Sequence, residues 1–216
     1  DGRLALAVGD VAGKGLAAAQ AVGGLRHALR AYGLEGSRSP GEVLTLVDHF
    51  AAALGIPDVM ATMLLVVLDP RTGRVEWASA GHPPPLCLPA DGPATLLEGR
   101  PGPPLGVDEE GVPALHHGLL REGDGLLLFT DGLVERRGEA LDTGLRRLAA
   151  AAAAAGAVPL PVLLDALLPM APRPLEDDVT TLVVRRVARE VREAANAAST
   201  ITVPAASAAP LHSGAV

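Results

Sequence analysis

The sequence predicts an α+β fold, with antiparallel strands in the middle of the chain and helices to either side. Three observations carry this. Short apolar runs rich in Leu and Val alternate with Gly, Asp and Pro turns between residues 62 and 129. Apolar residues recur every three or four positions over 16–32, 40–54 and 141–155, which is the helical period. The connections between the central runs are too short to hold crossover helices, so successive strands run antiparallel.

The elements follow in order. Leu4-Ala5-Leu6-Ala7-Val8 reads as a buried strand. It leads into Val8-Gly9-Asp10-Val11-Ala12-Gly13-Lys14-Gly15, which sets an acid at a strand end and a glycine-rich turn before a helix from Leu16 to Tyr32. Gly13 and Gly15 admit backbone angles that other residues avoid and let a ligand approach the main chain. An acid beside such a loop suits a hard cation, or a phosphate held through one. The Gly13-Lys14 pair is not a P-loop, because Val8 stands where that motif needs Gly and Gly15 where it needs Ser or Thr. Gly23-Gly24 weakens the first helix. Ser39-Pro40-Gly41-Glu42 starts the second, with Ser39 as cap and Pro40 in the first position, and Gly55-Ile56-Pro57 ends it.

Strands are expected at Thr62–Leu68, Arg74–Ser79, Leu86–Leu88, Thr95–Leu97, Ala114–Leu120 and Leu126–Phe129. Gly81-His82-Pro83-Pro84-Pro85 forms a rigid loop among them, and Glu122-Gly123-Asp124-Gly125 a turn. Helices follow at Leu141–Ala155 and from Pro161 to near Met170, then a last strand at Val179–Val184. Beyond Val187 the chain turns to Ala, Ser, Thr and Pro without periodicity. Residues 188–216 are therefore expected to be a mostly disordered tail, with a helix over Ala188–Ala198 as the one exception considered.

Composition narrows the function classes. A chain of 216 residues fits one domain with an appendage. Aromatics make up 2%, so the core must be built from Leu, Val and Ala. A net charge of −7 argues against nucleic acid as a partner, since phosphate backbones need a basic face. The single Cys87 excludes an internal disulfide and fits a reducing, cytoplasmic setting. No charged-then-apolar leader opens the chain. The apolar stretch 148–164 is broken by Pro159 and Pro161, so it reads as helix, loop and helix and not as a membrane span.

Three acids share one relation to three apolar strands. Asp10 follows the first, Asp131 follows Leu126–Phe129, and Asp177 precedes Val179–Val184. If the last strand opposes the other two, all three fall at one edge of the sheet. Clustered carboxylates repel one another unless cations neutralise them. No Cys/His pattern accompanies them, which argues against zinc, and all-oxygen ligands point to Mg²⁺ or Mn²⁺. Cys87 reads as core, His116-His117 as too isolated for a metal site, and Lys14 as a solvated loop lysine or a phosphate contact.

The ordered set Val8 to Gly15, Ala78-Ser79-Ala80-Gly81-His82-Pro83-Pro84-Pro85-Leu86, Pro104-Leu105-Gly106, Glu122-Gly123-Asp124, Phe129-Thr130-Asp131-Gly132-Leu133-Val134-Glu135 and Asp177-Asp178-Val179-Thr180 resembles the SpoIIE-like (RsbU-like) branch of the PPM metal-dependent protein serine/threonine phosphatases. The resemblance covers residues 1–187. It implies an antiparallel β-sandwich flanked by helices in four αββα layers, with two Mn²⁺ or Mg²⁺ ions at one edge. In it Asp10 bridges both ions, the Val11 carbonyl helps hold one, and Asp131 and Asp177 match the acids of the other. Asp178 ranks as supporting, with Gly13, Lys14 and Gly15 around the loop, and the loop of His82 resembles a structural turn.

The activity so implied is hydrolysis of phosphoserine or phosphothreonine by a water that two metals activate. The substrate implied is a phosphorylated anti-sigma-factor antagonist of the STAS type. The competing class is a phosphatase-like binding module that regulates a partner with little catalysis. The family also has an earlier strand with a Gly-Gly-Asp-like motif. This chain starts after that point, so a fragment with an upstream sensor domain is expected, and a homodimer is possible.

Overall fold

Four layers, helices outside and two antiparallel sheets inside, arise because the central strands are apolar on both faces. The computed structural model describes residues 2–53, 60–107, 113–175 and 177–187 and the backbone of a strand at 198–203. The first sheet has the order β1 (Leu4–Val11), β2 (Ala61–Leu68), β3 (Arg74–Ala80), β6 (His116–Leu119). The second runs β5 (Thr95–Leu96), β4 (Leu86–Leu88), β7 (Gly125–Phe129), β8 (Val179–Arg185), β9 (Ala198–Val203).

Alternation along each strand divides the core into three. Leu64 and Val66 of β2 meet Leu126 and Leu128 of β7 between the sheets, around the buried Trp77. Met63 and Leu65, on the other face of β2, pack against α1 (Leu16–Leu34) and α2 (Pro40–Ala53) through Leu25, Leu44 and Val47. Leu127 and Phe129 face α3 (Leu141–Ala155) and α4 (Leu160–Leu167) through Leu148, Leu163 and Leu164. A strand such as β7 therefore shows no polar alternation, and all five of its residues are buried.

Most expected elements appear within two residues of their predicted ends. Ser39 caps α2 as the sequence indicates. Its Oγ accepts from the Glu42 N–H, and the Glu42 carboxylate accepts from the Ser39 N–H at 2.7 Å, a capping box. The expected stop at Gly55-Ile56-Pro57 lies outside the described residues, as do residues 188–197 of the helix considered over Ala188–Ala198, whose last residue opens β9 instead. The β2–β3 turn closes on Asp69, whose Oδ1 accepts from Arg71 N–H at 2.9 Å, and on Gly73 at φ +78.

Two features differ from expectation. The turns after β3, β5 and β6 join strands of different sheets, so chain neighbours there are not ladder partners. Asp124 organises the last of these turns, its two oxygens accepting from the Ala90 and Arg121 N–H groups. In addition, Ala198–Val203 falls inside the expected tail yet pairs antiparallel with β8, from Val179↔Val203 to Val184↔Ala198. The run Thr200-Ile201-Thr202-Val203 is β-branched throughout, which suits a pleated strand.

Candidate metal centre

The site forms where three strand ends meet. Asp10 lies near the end of β1, opposite Thr62 of β2. Asp131 opens a 3-10 turn, Asp131–Leu133, directly after β7 and Thr130. Asp177 lies two residues before β8, which runs antiparallel to β7. Asp131 and Asp177 thus belong to one sheet and Asp10 to the other. The expectation of a single sheet edge is corrected: the acids gather at one end of the sandwich, across its two sheets.

Oxygens of Asp10, Asp131 and Asp177 all lie within 4.8 Å of one another. The charge of this group shows in its protonation. Burial, then the nearby Asp177 and Asp131 carboxylates, push the Asp10 carboxyl from 3.8 up to about 6. Burial and Asp177 likewise raise Asp131. Asp131 Oδ1 is also buried without a hydrogen-bond partner, an acceptor left for something other than protein. An all-carboxylate donor set with a buried unused oxygen fits a hard divalent cation. Asp177 is exposed, so the cluster opens to solvent.

The remaining residues of the expected site surround this group. Val11 ends β1 opposite Ala61, and its N–H donates to Asp10 Oδ1 at 3.0 Å. Asp178 contributes to the repulsion felt by Asp10, while its N–H donates to Asp177 Oδ1 at 2.8 Å. Gly13 at φ +104 and Gly15 at φ +88 turn the chain into α1. A Cβ on either would meet nothing within 4 Å, so backbone angle and not crowding selects glycine there. Lys14 is exposed on the same loop.

Gly132 and Thr130 position the site without having been singled out by the sequence, whereas the loop of His82 was expected to be a structural turn. Gly132 passes so close to β8 that a Cβ on it would sit 2.6 Å from the Asp178 carbonyl oxygen. Thr130 Oγ1 donates to that same carbonyl and accepts from the Thr180 N–H, both at 2.9 Å. His82 is buried. Its Nδ1 lies 2.9 Å from Thr62 Oγ1 and its Nε2 2.9 Å from the Phe129 carbonyl oxygen. Burial pushes its pKa from 6.5 down to about 4, so the ring is neutral. Both ring nitrogens are occupied within the fold, in keeping with a structural loop. Thr130, Gly132 and His82 lie within the family-like stretches 78–86 and 129–135, but contacts 47 to 50 residues apart have no local signature. His116 also has a structural place, stacked on Trp77 with ring centroids 4.4 Å apart.

The SpoIIE family profile, described as Stage II sporulation protein E, matches residues 1–187. The chain belongs to the SpoIIE family. Among solved structures, this SpoIIE-family chain is similar to the RsbU and RsbW domains of a Mycobacterium tuberculosis protein. Identity is 35% and the TM-score 0.75, over 87% of this chain and 52% of that one. It is similar in fold to the SiaA-PP2C domain of Pseudomonas aeruginosa, with 22% identity and a TM-score of 0.67, over 85% of this chain and 79% of that one. Protein IcfG of Synechocystis is 26% identical over 63% of this chain and 26% of its own length. The SpoIIE-family chain thus spans about half of the Mycobacterium structure (52%) and about a quarter of the Synechocystis protein (26%). No described helix is long and apolar enough to cross a membrane.

Proposed function

We propose that this chain is a metal-dependent phosphatase domain, spanning 1–187, that removes phosphate from phosphoserine or phosphothreonine on a regulatory protein. The proposed target is a STAS-type anti-sigma-factor antagonist, and the proposed setting is the cytoplasm. The observation that carries the activity is the convergence of Asp10, Asp131 and Asp177, with oxygens within 4.8 Å at the shared end of both sheets. Membership of the SpoIIE family supports the reaction class. The target and an upstream sensor rest on the family resemblance.

Asp10, Asp131 and Asp177 would hold two Mn²⁺ or Mg²⁺ ions, with the Val11 carbonyl as a further ligand. When bound, such ions polarise the phosphate and lower the pKa of a water to give a nucleophile at neutral pH. The protein's own part is positioning. Asp131 presents a buried oxygen that no protein group competes for. The Val11 and Asp178 N–H groups orient the Asp10 and Asp177 carboxylates. The open, exposed side at Asp177 admits a phosphate carried on another protein. His82 takes no part in proton transfer, because both of its nitrogens are engaged away from the carboxylates.

The test is Asp131→Ala in the full chain, assayed on a phosphothreonine peptide across a Mn²⁺ titration. Loss of Mn²⁺-dependent hydrolysis with the fold retained is expected. Wild-type turnover at half-saturating Mn²⁺ would sink the assignment.

A further inference from the structure

We propose that half-buried Thr62 and buried His82 and Thr130 form a polar strut that sets the spacing of the three carboxylates, with His82 as its central positioning residue. This rests on the reading of Asp10, Asp131 and Asp177 as a cation site.

The strut connects the three strand ends in sequence. Thr62 is the ladder partner of Asp10. Its hydroxyl meets His82 Nδ1, and His82 Nε2 meets the Phe129 carbonyl at the end of β7, both at 2.9 Å. A carbonyl only accepts, so Nε2 carries the proton, and Nδ1 of the neutral ring accepts from the Thr62 hydroxyl. One residue on, Thr130 links β7 to β8 through the Asp178 carbonyl and the Thr180 N–H. Asp131 follows Thr130 and Asp177 precedes Asp178. Hydrogen bonds joined through the Phe129–Thr130 backbone thus run from the partner of Asp10 in one sheet to the neighbours of Asp131 and Asp177 in the other.

The backbone of His82 is held as well. Ser79 Oγ donates to the His82 carbonyl at 2.7 Å and accepts from the His82 N–H at 3.0 Å. Gly81, at φ +67, lets Pro104 pack where a Cβ would lie 2.6 Å from it. The three acids repel one another, which works to spread the strand ends, and the strut opposes this. Metal sites tolerate distance errors of only about 0.2 Å. A brace between the two sheets therefore acts on cation affinity and not on stability alone.

The experiment uses the full chain and Mn²⁺ as probe, with calorimetric binding, melting of the metal-free protein, and kcat and KM for p-nitrophenyl phosphate. Thr62→Val keeps the side-chain shape and removes the hydroxyl; Thr62→Ser restores it. We expect Thr62→Val and His82→Leu to weaken Mn²⁺ binding about 10- to 100-fold, the range typical of groups that orient metal ligands. KM at saturating Mn²⁺ stays unchanged and Thr62→Ser binds as wild type. If His82→Leu does not fold, the Thr62 pair decides alone. Wild-type Mn²⁺ affinity in folded Thr62→Val, even with a lowered melting temperature, overturns the proposal and leaves the residues merely structural. Asp131→Asn is measured in parallel. If it too binds Mn²⁺ as wild type, the cation-site reading itself fails and the strut with it.

Discussion

Gly132 offers a test of site geometry that removes no ligand. In Gly132→Ala the new Cβ would lie 2.6 Å from the Asp178 carbonyl oxygen and 3.3 Å from the Asp177 carbonyl carbon. An ordinary contact needs about 3.5 Å, so the turn after β7 and the start of β8 must separate by roughly 0.9 Å. The obstacle is backbone on both sides, which no rotamer change relieves. Since Asp131 immediately precedes Gly132 and Asp177 immediately precedes Asp178, the displacement falls between two of the clustered acids. Misplacement on the order of 1 Å costs about 100-fold in turnover, whereas the overpacking itself costs only about 1–3 kcal/mol of stability. The assay is p-nitrophenyl phosphate hydrolysis by the full chain across a Mn²⁺ titration, with a thermal melt in chelator. The expected outcome is a folded protein with sharply lower kcat and a raised Mn²⁺ requirement. A folded variant with wild-type kcat and Mn²⁺ dependence would refute the claim that this close approach sets the spacing of the acids.

Three further outcomes are expected. The Asp10 carboxyl is raised from 3.8 to about 6, so the metal-free protein binds its proton more tightly than the unfolded chain does. Asp10's own contribution to stability must fall as pH rises from about 4 to 6 and stay low above that, with saturating Mn²⁺ reversing it, while buried His82, lowered from 6.5 to about 4, contributes in the opposite sense over the same window; for Asp10 full conversion gives at most about 3 kcal/mol, and screening at a half-exposed site reduces this to ~1 kcal/mol. Chemical denaturation of the wild type and Asp10→Asn at several pH values without Mn²⁺ isolates the Asp10 part as their difference, and a wild-type stability that rises relative to Asp10→Asn over that window contradicts it. Gly23→Ala places a methyl where nothing lies within 4 Å, so it should stabilise α1 by about 0.5–1 kcal/mol, seen as a higher melting temperature. Asp124→Ala removes the acceptor of the Ala90 and Arg121 N–H groups at the far end of β7 from Asp131. It should cost about 1–3 kcal/mol in a melt while leaving the Mn²⁺ dependence of hydrolysis unchanged.

Much of the local structure was legible because its causes are local. The helix start with Ser39 as cap and Pro40 in the first position, the Asp69–Gly73 turn and the glycine loop at 13–15 each act within a few residues. The apolar runs of β2 and β7 marked strands, and the positions of Asp10, Asp131 and Asp177 relative to strands were readable for the same reason. Expectation failed at Ala198–Val203, where pairing with β8 decides the state of a segment whose composition alone suggested disorder.

What only the tertiary structure decided is which strand ends meet. Turn residues specify that the chain reverses, not whether it returns to the same sheet, so the crossings after β3, β5 and β6 left no local mark. They place Asp10 in one sheet and Asp131 with Asp177 in the other, and that arrangement creates the mutual repulsion and the unused buried oxygen of Asp131. The same holds for His82, whose partners Thr62 and Phe129 lie 20 and 47 residues away. A histidine in a proline-rich loop is ambiguous by itself. Its role follows from burial and from the two groups that reach its nitrogens, and packing the two sheets face to face supplies both.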